Sequence, residues 1–324
     1  MTVRVESGPD EGDRAAFTVG ETSSEVRLAP GDRIKVYRLE IPEGAEVLGR
    51  PVDRYGFSDF ERGRPLAILA AVFALLVVVA GRFRGLRALI GLGVSLLLIV
   101  EFVVPAILDG TSPVGVALVG ALAVMFVTIP LTHGLGAKGV AAMLGTATSL
   151  ALTAGLASLA IDAVKLTGLA SDETAYLRAV SGEISLQGLL LAGMIIGALG
   201  VLDDLTVTQA STVMALRRSS PSLGGRRLFR EALDVGHDHI AATVNTLVLA
   251  YAGAALPVLL LFSIAGTSFS TAIGTEAVAE QAVAMLVGSI GLIAAVPITT
   301  ALAAFLAVRL PVKALGDAHH GHAH

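Results

Sequence analysis

The strongest constraint on this chain is a series of apolar runs of the length a helix needs to cross the hydrocarbon of a bilayer, about 20 residues. They fall near 65–81, 88–108, 113–131, 139–160, 187–216, 240–264 and 284–308. From Pro65 to Ile161 the only charged residues are Arg82, Arg84, Arg87, Glu101, Asp109 and Lys138. Over the whole chain 54% of residues are hydrophobic and 15% charged, and the mean hydropathy is +0.77. An ordinary soluble domain is far less apolar. The expected fold is mainly α: a polytopic membrane helix bundle of about seven transmembrane helices, with a small N-terminal β-rich extracytoplasmic domain.

Three regions follow: a β-rich domain over 1–60, a seven-helix transmembrane domain over 61–310, and a flexible His-rich tail over 311–324. The head reads as β because Val3-Arg4-Val5, Phe17-Thr18-Val19, Val26-Arg27-Leu28 and Ile34-Lys35-Val36-Tyr37 are short alternating runs, broken by Gly8-Pro9-Asp10 and Pro30-Gly31-Asp32. Residues 50–64 read as a polar link into the bilayer. So small a unit is marginal alone and is expected to pack on the membrane body or on a protein partner. The first residues, MTVRVESGPDEGDR, hold no apolar core for a signal peptide. Export of the head then relies on the first apolar run, or on a segment outside this sequence.

Basic residues set orientation. Arg82, Arg84, Arg87, Lys138, Arg217, Arg218, Arg226, Arg227, Arg230, Arg309 and Lys313 fall on one side, against Lys165 and Arg178 on the other. The richer side is expected to be cytoplasmic, which puts the head outside and the C-terminus inside a bacterial cell membrane. The net charge of −4 averages a polar head with a lipid-embedded body and gives no reason to expect nucleic acid as a partner. Cysteine is absent, which excludes disulfides and thiolate chemistry. Small residues such as Ala142, Gly145, Ser149 and Thr153 recur at helical spacing and predict close helix approach, and an oligomer is compatible with that pattern. Pro105, Pro130, Pro257 and Pro297 each remove a backbone donor. Thr128, Thr132, Thr299 and Thr300 sit beside two of them and are expected to re-satisfy the freed carbonyls.

The segment Gly193–Arg218 reads as one continuous helix carrying Asp203 and Asp204 near mid-membrane. Gly193, Gly197, Gly200, Asp204, Thr208 and Ser211 recur at three or four residues and predict a stripe that faces other helices, with Gln209 beside it. An ionised carboxylate at that depth costs several kcal/mol unless it is paired or hydrated, so one of the two acids is expected to spend time protonated and to bind a proton or another cation. The bland alternative ends the helix near Val201 and leaves the pair solvated at the interface.

In residues 230–253, Asp234, Asp238 and Asn245 share a face and His237 and His239 flank Asp238, a set open to divalent metal binding, proton shuttling, or plain helix capping. Asn245 lies deeper and is expected to hydrogen-bond across to the Asp204 stripe. Glu101 stands alone in an apolar run and needs a partner, a proton, or a path to water. His319, His320, His322 and His324 belong to a mobile tail that binds metal weakly at best. No serine-histidine-acid set, P-loop or nucleotide fingerprint is present.

With these motifs in view, GALGVLDDLTVTQAS and REALDVGHDHIAATVNTLVLAYAGAALP resemble the YibE/F family of bacterial multi-pass membrane proteins over the whole chain. The resemblance implies topology more than activity. A weaker local similarity joins Gly200–Asp204, Arg230-Glu231-Ala232 and Val244–Leu247 to proton-driven resistance-nodulation-division exporters, in which a mid-membrane acidic pair carries the proton. Carried over, Asp203 and Asp204 are the relay. The leading expectation is an ion-coupled transporter or exporter component. Its rivals are an intramembrane metal-dependent enzyme using Asp234, His237, Asp238 and His239, and a non-catalytic scaffold whose head recruits an extracytoplasmic partner.

Overall fold

The computed structural model describes residues 2–17, 28–39, 46–47, 50–51, 54–182 and 184–312. The run 18–27, Lys313 and the tail histidines lie outside them. The chain divides into two compact units, Met1–Ala80 and Gly81–His324.

The first unit pairs its strands in antiparallel twos: β1 (Thr2–Arg4) with β2 (Arg14–Ala16), β3 (Ile34–Arg38) with β6 (Tyr55–Phe60), and β4 (Glu46–Val47) with β5 (Arg50–Pro51). Residues 50–64 are therefore more than a link. β6 alternates Tyr55 and Phe57 with Gly56 and Ser58, and a bulge at Lys35/Val36 resets the register so that Ile34 faces Phe60. Asp10 ties the turn after β1 to this ribbon: it accepts from Arg38 Nη1 at 2.9 Å and from Tyr55 Oη at 2.8 Å.

That hydrogen bond from Tyr55, with the negative charge of Asp10 beside it, raises the phenol above its ordinary value. The neutral phenol is the favoured form in the folded head, so the contact stabilises the head below about pH 10 and the benefit is lost as pH rises through the raised folded value. In Asp10→Asn the tyrosinate absorbance of Tyr55 is expected to emerge at lower pH than in the parent, and an unmoved titration would break the assignment.

The helices are α1 (Gly63–Leu98), α2 (Val104–Leu108), α3 (Pro113–His133), α4 (Ala137–Val164), α5 (Asp172–Val180), α6 (Leu186–Ser219), α7 (Gly225–Ile264), α8 (Phe269–Ile273) and α9 (Glu276–Arg309). Among the described residues six continuous helical segments are long and apolar enough to span a membrane. The first of them runs Gly63–Leu108 and holds two of the seven expected runs. It is broken at Arg82, whose φ of 51° and ψ of −134° lie off the helical region. Near its end, Ile99–Val103 forms a π-helical turn in which Val104 N donates to Ile99 O, two residues before Pro105 joins the helix. A wider turn of this kind relieves the carbonyl that proline clashes with and cannot bond.

In the second unit α4, α6 and α9 form the packed centre, with α3 against α6 and α7 along α6 and α9. Small residues set the spacing. A Cβ placed on Gly145 would collide with Thr299 Oγ1, and one on Gly291 with Thr153 Oγ1, so α4 and α9 run antiparallel with their backbones nearly touching. Ala142, Gly145, Ser149 and Thr153 are all buried at this seam, as their spacing predicts. The prolines behave differently from expectation. Thr128 Oγ1 donates to Val124 O, Thr132 Oγ1 to Thr128 O and Thr300 Oγ1 to Val296 O, whereas Pro130 and Pro297 strip the donors due to Phe126 and Ile293. These threonines cap their own turn and leave the freed carbonyls alone.

Candidate ion-binding site in the helix bundle

α6 starts at Ser185, whose side chain accepts from Gly188 N at 3.0 Å, and ends on Arg217 and Arg218, which suit the negative end of a helix. No break occurs at Val201, so Asp203 and Asp204 lie inside a continuous 34-residue helix. At 1.5 Å per residue Asp203 is about 25 Å from Leu186 and about 21 Å from Arg217.

Which acid faces inward is decided by the bulky residues. Leu199, Leu202, Thr206, Gln209, Ala210 and Val213 are buried, and Asp203 borders that face. Asp204 is exposed in the single chain, together with Gly193, Gly197 and Gly200, and a Cβ on any of these glycines would meet open space. Gly193 and Gly197 nevertheless line hollows bordered by α7 and α9, so the small-residue stripe faces other helices across open space without being packed against them. Neighbouring helices grip the larger Leu and Val side chains instead. Thr208 and Ser211 are half-buried at the edge of the stripe.

Asp203 Oδ2 accepts from Thr128 Oγ1 of α3 at 3.5 Å, the outer limit of a hydrogen bond. Its Oδ1 is shielded from solvent and has no hydrogen-bond partner among the described residues. Below it the interior of the bundle is polar rather than purely apolar. Thr206 Oγ1 meets Thr146 Oγ1 of α4 at 2.6 Å, and both residues are fully buried. One turn on, Gln209 Nε2 donates to Ala232 O of α7 at 2.8 Å and to Thr300 Oγ1 of α9 at 2.7 Å. Thr299 Oγ1 and Ser149 Oγ are buried nearby without partners among the described residues. Asp203, Thr206 and Gln209 thus make one inward polar ridge at three-residue spacing, met by Thr146 and Thr300.

Gln209 is the clamp of this ridge, since one side chain bridges α7 and α9. Gln209→Leu keeps the bulk but removes the donor that Ala232 O and Thr300 Oγ1 share. A loss of about 1–2 kcal/mol is expected, because such bonds in membranes are individually modest. Thermal unfolding of the purified protein measures it, and an unshifted midpoint would remove the clamp.

The other expected residues are more scattered. Glu101 is exposed within the π-helical turn, and Asn245 is exposed on α7 rather than turned toward Asp204. Asp234, His237, Asp238 and His239 are exposed on the first turns of α7. No three His, Asp or Glu groups come together around a metal-sized centre among the described residues. Two groups escaped the sequence reading. Thr128 was weighed only as a proline companion. Glu280 precedes the last apolar run, which begins near 284, yet lies within α9, which begins at Glu276. The repeat of Glu276 and Glu280 at i, i+4 after Thr275 was the available signal.

The antiparallel pairing also sorts the charges. Residue 145 lies level with 299 and 146 with 206, so Lys138, Arg217 and Arg309 share one end of the bundle; Gly225 lies against Val308, which brings Arg226 and Arg230 to the same end. Lys165 follows α4 at the opposite end. With this arrangement of spans and polar ridge in place, comparison with known proteins is informative. The family model described as YibE/F-like protein matches residues 69–309.

The chain belongs to the YibE/F family.

The matched region takes in nearly all of the apolar helices, and membership accords with a multi-pass membrane protein. No curated protein and no solved structure matches the chain. The local likeness to resistance-nodulation-division exporters gains no support from these comparisons.

Proposed function

We propose that this YibE/F-family protein is a transporter or exporter component of a bacterial cytoplasmic membrane, coupled to protons or another cation through Asp203. The observation that carries the reading is the Asp203 carboxyl itself: mid-helix, at the edge of the buried face, with one oxygen weakly held by Thr128 and the other unpartnered. A carboxyl in that setting needs a proton or a cation to be tolerated, and an acid that must be neutralised within a membrane is the usual means of loading a coupling ion. Thr206, Thr146, Gln209 and Thr300 continue its polar surroundings between α4, α6, α7 and α9. Asp204 adjoins it from the exposed stripe of α6. The basic end of the bundle is assigned to the cytoplasm, with the β-rich head outside and the C-terminus inside.

The test is ion flux. Full-length protein in liposomes loaded with a pH-sensitive dye is exposed to an imposed proton or sodium gradient, and the parent is compared with Asp203→Asn. Loss of ion movement in the variant is the expected result, and equal movement in both overturns the reading.

A further inference from the structure

A second candidate site lies some distance from Asp203, at the end of the bundle where α9 begins. A cleft of about 340 Å³, the lower end of the range for small-molecule sites, opens between α5, α6, α7 and α9. Its walls are Leu189, Leu190 and Met194 of α6 and Ala284 of α9, and its polar side chains are Thr174, Tyr251, Glu280 and Gln281. We propose that this cleft binds an amphipathic organic ammonium, with the Glu280 carboxylate as its counter-charge.

The choice of ligand follows from what the lining can and cannot satisfy. Glu280 Oε1 is shielded from solvent and has no hydrogen-bond partner among the described residues. Its neighbour one turn earlier is fully engaged: Glu276 Oε1 accepts from Thr167 Oγ1 at 2.8 Å and Gly168 N at 2.8 Å, and Oε2 from Thr167 Oγ1 at 2.9 Å. Glu276 thus fastens the loop after α4, while Glu280 is left for a ligand. The lining holds no Lys, Arg or His, so an anion has nothing to meet. A purely apolar guest would leave Oε1 stranded, at the full desolvation penalty of a charged acceptor. A divalent metal wants about six oxygens, and the remaining walls are aliphatic. An ammonium with an apolar body satisfies all of these at once: N–H to Glu280, the Tyr251 ring beside the charge, and Leu189, Leu190 and Met194 along the body.

A size filter separates this site from the Asp203 region. The cleft shares Met194, Tyr251 and Ala284 with a deeper hollow lined by Thr153, Gly197 and Val201, and that hollow has about 20 Å³. Such a space admits about one water and no organic molecule. An organic guest therefore stops at the cleft, and the proposal stands whether or not Asp203 couples an ion.

The probe is monodansylcadaverine, a primary ammonium with an environment-sensitive fluorophore, set against its N-acetyl derivative, which keeps the shape and loses the charge. Saturable binding of the cationic dye to the full-length protein in nanodiscs is expected, about tenfold or more weaker in Glu280→Gln, as loss of a desolvated counter-charge dictates. The acetylated dye is expected to bind weakly and alike to both proteins. Gly193→Leu provides a second variant, because Gly193 lines the cleft and a Cβ there meets nothing within 4 Å, so the added side chain takes up room in the cleft. It is expected to weaken the cationic dye with Glu280 intact. Equal affinity of parent and Glu280→Gln for the cationic dye, or equal affinity of the parent for both dyes, overturns the assignment.

Discussion

Asp203→Asn is expected to reduce ion movement by about two orders of magnitude or more, the largest functional effect of any single substitution in this chain. Asparagine keeps the shape and the contact with Thr128, and it removes the ability to exchange a proton or neutralise a cation. The informative control is the neighbour. Asp204 is exposed and takes no part in the bonds of the ridge, so Asp204→Asn leaves Asp203, Thr206 and Gln209 untouched. It is expected to retain most of the flux. A reversal of the two variants would place the coupling group on the glycine stripe and refute the inward assignment. Flux is measured with each protein reconstituted at matched density, after both have shown the same size-exclusion profile as the parent.

The largest expected effect on stability comes from the smallest change, Gly291→Ala. An added Cβ meets Thr153 Oγ1 in direct collision, with Thr153 Cβ and Cγ2 at 3.1 Å. α9 cannot retreat freely, because the same pair of helices is closed at Gly145 against Thr299, and α9 is also held to α6 by the bond from Gln209 to Thr300. Overpacking of this kind costs about 1–3 kcal/mol. The signature is in the double variant. Thr153→Ala removes the colliding hydroxyl, so Gly291→Ala combined with Thr153→Ala is expected to regain most of the lost thermal stability, a coupling that two distant sites would not show. Strictly additive losses would mean that α4 and α9 are not held where these contacts put them.

Apolar length alone made most of the architecture legible. Apolar runs of about 20 residues have few structural options, and α3, α4 and α6 begin and end within a few residues of the runs that announced them. Two things were hidden. Helices α7 and α9 extend well before their apolar runs, through Asp234–His239 and through Glu276–Glu280, because a helix continues as long as its backbone bonds are met, whatever the polarity of its surface. The tightness of packing around α6 is hidden for a related reason. Glycines at i, i+4 and i+7 are compatible with close packing but do not demand it, and here the packed face is the one carrying Leu199, Leu202 and Gln209. Sequence spacing places Asp203 well inside a continuous α6, while only the neighbours α3, α4 and α9 determine which of two adjacent acids turns toward them.

Helix α7 has an uneven hold on the rest of the bundle. Its buried residues are Leu228, Ala232 and Gly236 in the first three turns, and only Ala255 thereafter. Gln209 pins Ala232, whereas Leu247 and Tyr251, further along, border the hollow and the cleft. Mechanically this is a cantilever, fixed at its root and only half-buried along its length, where Ile240, Val244 and Leu247 lean on the core. Bending it outward from Gly236 would widen the cleft beside Glu280 while the Gln209 clamp stayed shut, so the entrance can change width without cost to the centre of the protein.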